Sequence, residues 1–498
     1  MKMTVEDMKA MEERMIGDLP WLAPIGALVL AAIVAVALAL LLPRGRQGLA
    51  GAWVAAMHLA AAGLAAWVWL DRGFAAVMEG TVTVDGLGLA LTGIVGVSGA
   101  VTVALSRPTV AGTDREGEFY AVLAATSLAA AVLGYASDVA LLAIAVGLLS
   151  LGSFVLTGYL RASRRGNEAS LKYYVYGTVA AATMVYGLSW WFGLAGSTSL
   201  PAVGRALPDA PMAAVVGSTA MVVVGLGYKA SLVPFHFWTP DTYDGAPLPV
   251  AAYLSVVPKL AGLVALARVL PTALPGDLAG WSTAIAVVAA VTMTVGNLAA
   301  LPQRNVVRLL AYSSIAQSGY LLMGVAALAR SDSGLPALVY YAIAYAATNL
   351  AAFAVVIAVQ RERGSVDLDA FAGLGRDHPW WTATLVLSFL SLLGLPPLAG
   401  FVGKLEVFTA AIDADQAWLA VIAIVNTVIS LYYYLRVVGP AILAPPGTEA
   451  APAPGPLVAA GGPPLVAALG TAAVATVGIG VAAEPFLTLA QRAVMMVG

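Results

Sequence analysis

Apolar stretches of about 20 residues, each long enough to cross roughly 30 Å of hydrocarbon as a helix, recur along the chain with only short polar joints between them. They predict fourteen transmembrane helices at 20–42, 48–70, 85–106, 117–136, 139–160, 169–194, 211–239, 248–270, 281–301, 303–328, 334–359, 379–411, 415–438 and 464–488. A membrane β-barrel would instead alternate apolar and polar positions in segments of about ten residues, and lipid admits no other spanning structures. The pattern therefore predicts an all-α polytopic membrane protein, with both termini on one side because the number of crossings is even. Two stretches differ in texture. "EGTVTVDG", beginning at Glu79, has the β-branched alternation of a small hairpin on the outer face. Residues 440–464, rich in Pro, Ala and Gly, read as a flexible connection.

Three lysines interrupt the apolar pattern: Lys229 in the seventh run, Lys259 in the eighth and Lys404 in the twelfth. A charge at the bilayer centre costs about 2.5–3.5 kcal/mol on insertion scales, so such residues face the bundle interior or water. Snorkelling needs a position near a span end, and these lie deeper. Two of them stand beside helix breakers. Pro234 follows Lys229, and "GLPPLAG" (394–400), with Pro396 and Pro397 adjacent, precedes Lys404. A proline removes a backbone hydrogen bond and frees carbonyls that protein or water must satisfy, and interrupted helices in corresponding places of two halves point to a transport site. The broken runs are five apart, which suggests two five-helix repeats, runs four to eight and nine to thirteen. Because five is odd, the second repeat is inverted. The expected organisation is a tail and three helices (1–115), a first repeat (116–275), a second, inverted repeat (276–440), and a linker with helix fourteen (441–498).

His236 lies one turn past Lys229 across the kink, where an imidazole can pass protons on or simply hold freed carbonyls. His378, before Pro379, reads as a cap, and His58 as packing. Asp241 and Asp244 in "PDTYDGAPLP" (240–249) suit an Asx turn between runs seven and eight, placed on the outer side.

Composition narrows the function. The 498 residues are 60% hydrophobic and 10% charged, against roughly 25% charged in a soluble domain. A net charge of −2 without a long Lys/Arg cluster gives no footprint for nucleic acid. Without cysteine there is no disulfide, thiolate metal site or iron–sulfur ligation. Scattered histidines without acidic neighbours make no metal site, and P-loop, G-x-G-x-x-G and G-x-S-x-G signatures are absent. The start of the chain, with Glu6, Asp7, Glu12, Glu13 and Asp18, is unlike the basic region of a cleaved signal, so the first run is expected to be retained. Lys and Arg gather after odd-numbered runs, as at Arg161, Arg164, Arg165, Lys172, Arg304, Arg308, Arg361 and Arg363. The positive-inside rule then puts those connections in the cytoplasm and both termini outside. In this sorting basic residues near the ends of a run count with the adjoining connection, and only the three lysines count as lying within spans.

"KASLVPFHFWTPDTYDGAPLPVAAYLSVVPK" (229–259), "RNVVRLLAYSSIAQSGYLLMG" (304–324), "EASLKYYVYG" (168–177) and "PPLAGFVGK" (396–404) resemble the antiporter-like membrane subunits of proton-pumping NADH:quinone oxidoreductase, respiratory complex I, over roughly residues 85–440. Fourteen runs and the lack of a long C-terminal lateral helix favour the subunit N type over L and M. The resemblance implies fourteen helices with an inverted pair of five-helix repeats and discontinuous helices seven and twelve. It also implies proton translocation driven by quinone reduction in neighbouring subunits. Matched residue by residue, Lys229, Lys259 and Lys404 are the family's lysines of helices seven, eight and twelve, and His236 is the histidine of its "PFH" motif. Buried amines that gain and lose charge make such a relay.

Two positions depart from the family pattern. Its helix-five glutamate, in a pattern like "GLELLS", aligns with Gly147 in "AVGLLS", and its helix-ten histidine with Gln317. Gly147 removes the counter-ion expected for Lys229. Glu406, two residues after Lys404, adds an acid, but residues two apart do not share a helix face. The expected function is that of a proton-translocating subunit of an enzyme complex, itself without redox chemistry. Quinone, NADH, flavin and iron–sulfur clusters are expected in partner subunits, among them antiporter-like and quinone-site subunits, and the chain in the inner or plasma membrane. The alternatives are a cation/proton antiporter-type subunit and a non-pumping scaffold copy, the latter motivated by Gly147 and Gln317.

Overall fold

The structure is a computed structural model that describes residues 5–444, 462–493 and 495–496. Its helices are α1 (Val5–Leu41), α2 (Gly48–Trp67), α3 (Gly86–Val110), α4 (Glu116–Tyr135), α5 (Val139–Thr157), α6 (Arg164–Ala195), the short α7 (Leu200–Ala206), α8 (Met212–Lys229), α9 (Trp238–Gly245) and α10 (Leu248–Ala273). They continue with α11 (Trp281–Ala300), α12 (Val306–Ala327), α13 (Gly334–Arg363), the short α14 (Leu374–Asp377), α15 (Pro379–Leu393), α16 (Ala399–Asp413), α17 (Ala417–Leu443), α18 (Gly462–Val481) and α19 (Ala483–Gln491). Among the described residues twelve helices are long and apolar enough to cross a membrane alone, and α18 and α19 pass the same test only as a pair, bent by 75° between them. The twelfth predicted crossing, 379–411, is split into α15 and α16, of 15 residues each. At 1.5 Å per residue, neither half spans the hydrocarbon alone.

Sequence texture explains which helices take the centre. A helix apolar on all sides must be buried on all sides, and α10, α12 and α13 are buried along 100%, 94% and 89% of their most apolar stretch, against 28% for α1 and α6. Small residues let the central backbones approach, since lipid supplies no hydrophobic drive between helices. Between α11 and α12 the fit is reciprocal: a Cβ at Gly296 would lie 2.5 Å from the Ala316 nitrogen, and one at Gly319 2.6 Å from that of Met293.

The predicted hairpin is present, as β1 (Ala75–Val77) antiparallel to β2 (Val82–Val84) with Ala75 opposite Val84. Asp85 ends it and caps α3, accepting from the Gly88 N–H at 3.0 Å. The same carboxylate answers a charge that the sequence sorting misplaced. Arg268 is no connection residue; it sits within α10, 1% exposed. Its guanidinium grips Asp85 at 2.6 and 2.9 Å and the Gly134 carbonyl at 2.8 and 3.0 Å. That fork ties α10 to the start of α3 and the end of α4.

Two further expectations are corrected. Residues 445–461 of the predicted linker lie outside the described residues, but its ends are helical: α17 runs through Pro440 to Leu443, and α18 begins at Gly462. The acidic segment 240–249 does not lie opposite the basic connections. Asp241 pairs with Lys172 near the start of α6 and with Arg308 near the start of α12, both at 3.0 Å, and the Asn305 amide donates to Asp244 at 3.1 Å. These bonds put the segment on the same side as the connections after runs five and nine, where arginines are dense.

Candidate functional site

The end of α8 delivers Lys229 to a position with no exposure. Its Nζ donates to Tyr173 Oη at 3.3 Å and lies 5.1, 5.5 and 5.9 Å from the ring centres of Tyr173, Phe154 and Tyr228. These rings come from α6, α5 and α8. Among the described residues no carboxylate pairs with it, so aromatic faces and one hydroxyl supply the electrostatic partner, an interaction worth about 2 kcal/mol when desolvated. Gly147 lies on α5 seven residues before Phe154, half-buried, and a Cβ there would meet open space. Helix five thus offers the lysine an aromatic ring in place of an acid.

Residues 230–237, with an exposed Pro234, separate α8 from α9. The protein satisfies the backbone freed there: the Val233 N–H donates to Thr292 Oγ1 at 3.1 Å, and the Tyr228 carbonyl accepts from the Trp238 indole at 2.9 Å. His236 stands in this break, 8% exposed, with its buried Nδ1 unpartnered among the described residues and its ring 4.7 Å from that of Phe237. It makes no hydrogen bond to Lys229.

Lys229 and Lys259 are brought together by Gly262. A Cβ at this position of α10 would sit 2.9 Å from the Ala230 nitrogen and 3.0 Å from the Leu226 carbonyl and Lys229 Cβ. The missing side chain is what lets the end of α8 rest on α10 three residues from Lys259. Gly262→Val is therefore expected to separate these helices at a cost of about 1–3 kcal/mol, seen as a lower unfolding temperature of the purified protein. Lys259 is fully buried and donates to both the carbonyl and the hydroxyl of Ser314 at 2.7 Å.

The second break is built differently. Residues 394–398 separate α15 from α16, with Pro396 and Pro397 exposed. Lys404, 3% exposed, reaches back to the Leu393 carbonyl at 2.9 Å and to Thr427 Oγ1 at 3.2 Å, with its Nζ 4.3 Å from the centre of the Tyr320 ring. Gly394, at φ 92°, gives it room, since a Cβ there would meet the lysine Cδ at 2.9 Å. Gln317 takes the neighbouring Leu392 carbonyl at 3.0 Å and accepts from the Tyr341 hydroxyl. Two adjacent carbonyls exposed by the break are thus met by an amide and an ammonium. Glu406 is half-buried and in no ion pair among the described residues, as its spacing from Lys404 requires.

Ser314 and Gln317 are three apart on α12 and share a face. One buried face of α12 thus presents a polar group to Lys259, through Ser314, and another to the Lys404 break, through Gln317, whereas the end of α8 that carries Lys229 meets α10 at Gly262. Tyr173, Ser314, Tyr341, Thr427 and Tyr320 were not singled out from the sequence. Their signal was present as hydroxyl-bearing residues inside otherwise apolar runs.

Of the other histidines, His58 is packed as expected, with Nδ1 2.8 Å from the Val54 carbonyl. His378 occupies the position before α15 but makes no side-chain cap; Nε2 lies 2.6 Å from Glu362, and the ring stacks on Trp381 at 4.0 Å.

Beside the acidic segment opens a cavity of about 290 Å³, lined among others by Ser163, Arg165, Asp244, Asn305, Gln360 and Arg361. Burial pushes the Asp241 carboxyl up, but the bonds from Lys172 and Arg308 outweigh it and hold the group below the usual carboxylate range. The clamp's contribution is therefore complete above that range and is lost as pH falls through the depressed value. Asp241→Asn is expected to flatten the acid limb of the unfolding temperature against pH, below about pH 4.

The chain resembles known membrane proteins over most of its length. The chain is 42% identical over 404 residues to NADH-quinone oxidoreductase subunit N 1 of Streptomyces griseus, covering 80% of this chain and 83% of that one. Among solved structures, a chain of respiratory complex I from Thermus thermophilus matches with a TM-score of 0.78 and 32% identity over 93% of this chain and 98% of that chain. A chain of the Mrp complex from Dietzia sp. DQ12-45-1b shares the fold, with a TM-score of 0.82 and 22% identity over 96% of this chain and 97% of that chain. Residues 136–430 match the family described as NADH:quinone oxidoreductase/Mrp antiporter, transmembrane. The chain therefore belongs to the NADH:quinone oxidoreductase/Mrp antiporter transmembrane family, and its relatives there include subunit N proteins at 38% and 42% identity.

Proposed function

We propose that this chain carries protons across the membrane as a subunit of a NADH:quinone oxidoreductase, with Lys229, Lys259 and Lys404 as the titrating groups. The observation that carries this reading is three lysines buried to 3% exposure or less, with no carboxylate partner among the described residues. A merely structural buried ammonium would be paired, because an uncompensated charge is costly there. The polar cavity near Arg165 and Asn305 supports water entry from the arginine-rich side, and the break at Lys404 supplies carbonyls for a second access. Residues 116–275 and 276–440 act as the two inverted halves. The arginine-rich side faces the cytoplasm and both termini face outward across an inner or plasma membrane. Redox chemistry, with its NADH, flavin, iron–sulfur clusters and quinone, belongs to partner subunits.

A second reading, favoured by the purely aromatic surroundings of Lys229, is that the first half does not pump. The assembled complex reconstituted in vesicles separates the readings through its proton-to-electron ratio. Lys404→Ala and Lys229→Ala are both expected to lower it. A drop for Lys404→Ala alone would assign pumping to the second half, and no change in either variant would sink the proposal.

A further inference from the structure

Away from the lysines, α2 and α3 diverge from α13, α18 and α19 around a cavity of about 780 Å³. This is within the range of small-molecule sites, about 300–1,000 Å³. Its wall is almost wholly apolar and built from small residues, among them Ala65, Ala90, Gly93 and Ala475. Side chains of this size ordinarily let membrane helices close on one another; here α3 touches α13 and α18, yet a gap remains beside that contact. The walls are the protein's own interior: Ala65, Leu89, Ala90, Ile94 and Ile479 are no more than 8% exposed. The rim is open, with Leu70, Val97 and Val474 at 66%, 50% and 73% exposure. The helices around it are long and apolar enough to cross a membrane or belong to the bent α18–α19 pair, so the opening lies on the apolar flank of the chain.

Three polar side chains stand in this apolar wall, Trp69, Ser98 and Thr471. Trp69 lines the cavity, is 8% exposed, and its indole N–H is buried without a hydrogen-bond partner among the described residues. A buried donor needs an acceptor. Just beyond it, where the end of α2 passes into the hairpin, Asp71 and Arg72 are exposed and the Arg72 guanidinium lies 5.1 Å over the Trp67 ring. Tryptophan and arginine at a span end mark the level of lipid headgroups.

We propose that this cavity binds one acyl chain of a membrane glycerophospholipid, with the ester end at Trp69 and the headgroup at the lip by Arg72. An acyl chain matches an apolar channel that is closed inside the fold and open on the apolar flank. A partner's helix, about 10–12 Å across, would need an open trough. The ester carbonyl supplies the acceptor that the indole lacks.

Gly93 allows a test, because it lines the cavity and a Cβ there meets nothing within 4 Å. The full complex is reconstituted in phosphatidylglycerol vesicles containing a phosphatidylglycerol with a diazirine on one acyl chain, then photolysed, and the adducts are mapped by mass spectrometry. Adducts are expected at Ala90, Ile94 and Ala475 in excess of those at Val179, a residue 64% exposed on α6. Gly93→Leu should cut cavity labelling about tenfold, the effect of displacing roughly two methylenes, while labelling at Val179 is unchanged. Trp69→Phe, which keeps the wall but removes the donor, should lower it by less. Cavity labelling no higher than at Val179, or labelling insensitive to Gly93→Leu in a complex that assembles normally, would overturn the proposal. So would adducts formed by a photoreactive quinone but not by the phospholipid probe.

Discussion

Arg268→Ala is expected to cost about 3–5 kcal/mol of stability, because removing one member of a buried ion pair leaves the other charge uncompensated. Arg268 donates twice to Asp85, which has no exposure, and twice to the Gly134 carbonyl. Alanine would orphan a carboxylate and a carbonyl together, at the point where α3, α4 and α10 converge. Asp85 has other partners, the Gly88 N–H at the cap of α3 and the Met496 N–H at 3.1 Å, but neither is a charge. Thermal unfolding of the purified chain in detergent measures the effect. The double substitution Asp85→Leu with Arg268→Met should recover much of the loss, since apolar residues of similar volume can replace a buried pair at little cost. A single substitution that leaves the unfolding temperature unchanged would show that this pair does not hold the helices together.

Lys259→Met should have the largest effect on activity, lowering proton-coupled turnover of the reconstituted complex about 100-fold, the low end of what a positioned proton carrier contributes. Lys259 occupies the most buried helix and gives two 2.7 Å bonds to Ser314, so it stands between the end of α8 that carries Lys229 and the face of α12 that meets the Lys404 break. Methionine keeps the length and packing of the side chain but cannot carry a proton. Ser314→Ala should be milder, because the Ser314 carbonyl remains as acceptor. A Lys259→Met complex that pumps normally would remove this residue from the path. Assembly and thermal stability should stay near those of the parent, which separates the effect from the folding loss expected of Arg268→Ala.

Much of the architecture was legible from hydropathy because lipid imposes it. Runs of about 20 apolar residues have no alternative to a helix when backbone groups must be satisfied internally, and Pro234, Pro396 and Pro397 marked the breaks because proline cannot complete the ladder. The three lysines stood out for the same reason, as charges in the wrong solvent. Less was legible of what surrounds them. Arg268 was sorted with the connections because it lies near a span end, and its partner Asp85, in a hairpin 183 residues away, carries no local sign of the pairing. The acidic segment at Asp241 follows an odd-numbered run, so the sorting by basic residues already groups it with the connections of Lys172 and Arg308, and its placement on the outer side fails by that same rule. Only contact with Lys172 and Arg308 identified its role.

The sequence by itself determined an all-helical chain that crosses a membrane about fourteen times, is interrupted at two proline-marked points, and carries lysines at Lys229, Lys259 and Lys404. These follow from the one-dimensional cost of placing charge and broken backbone in hydrocarbon. Only the tertiary structure decided what each lysine touches: an aromatic cage for Lys229, the Ser314 carbonyl and hydroxyl for Lys259, and a carbonyl freed by the break for Lys404. Partners on α5, α6, α12, α15 and α17 are brought together by helix packing through small residues such as Gly262, and packing of that kind depends on three-dimensional fit that no local pattern of residues encodes.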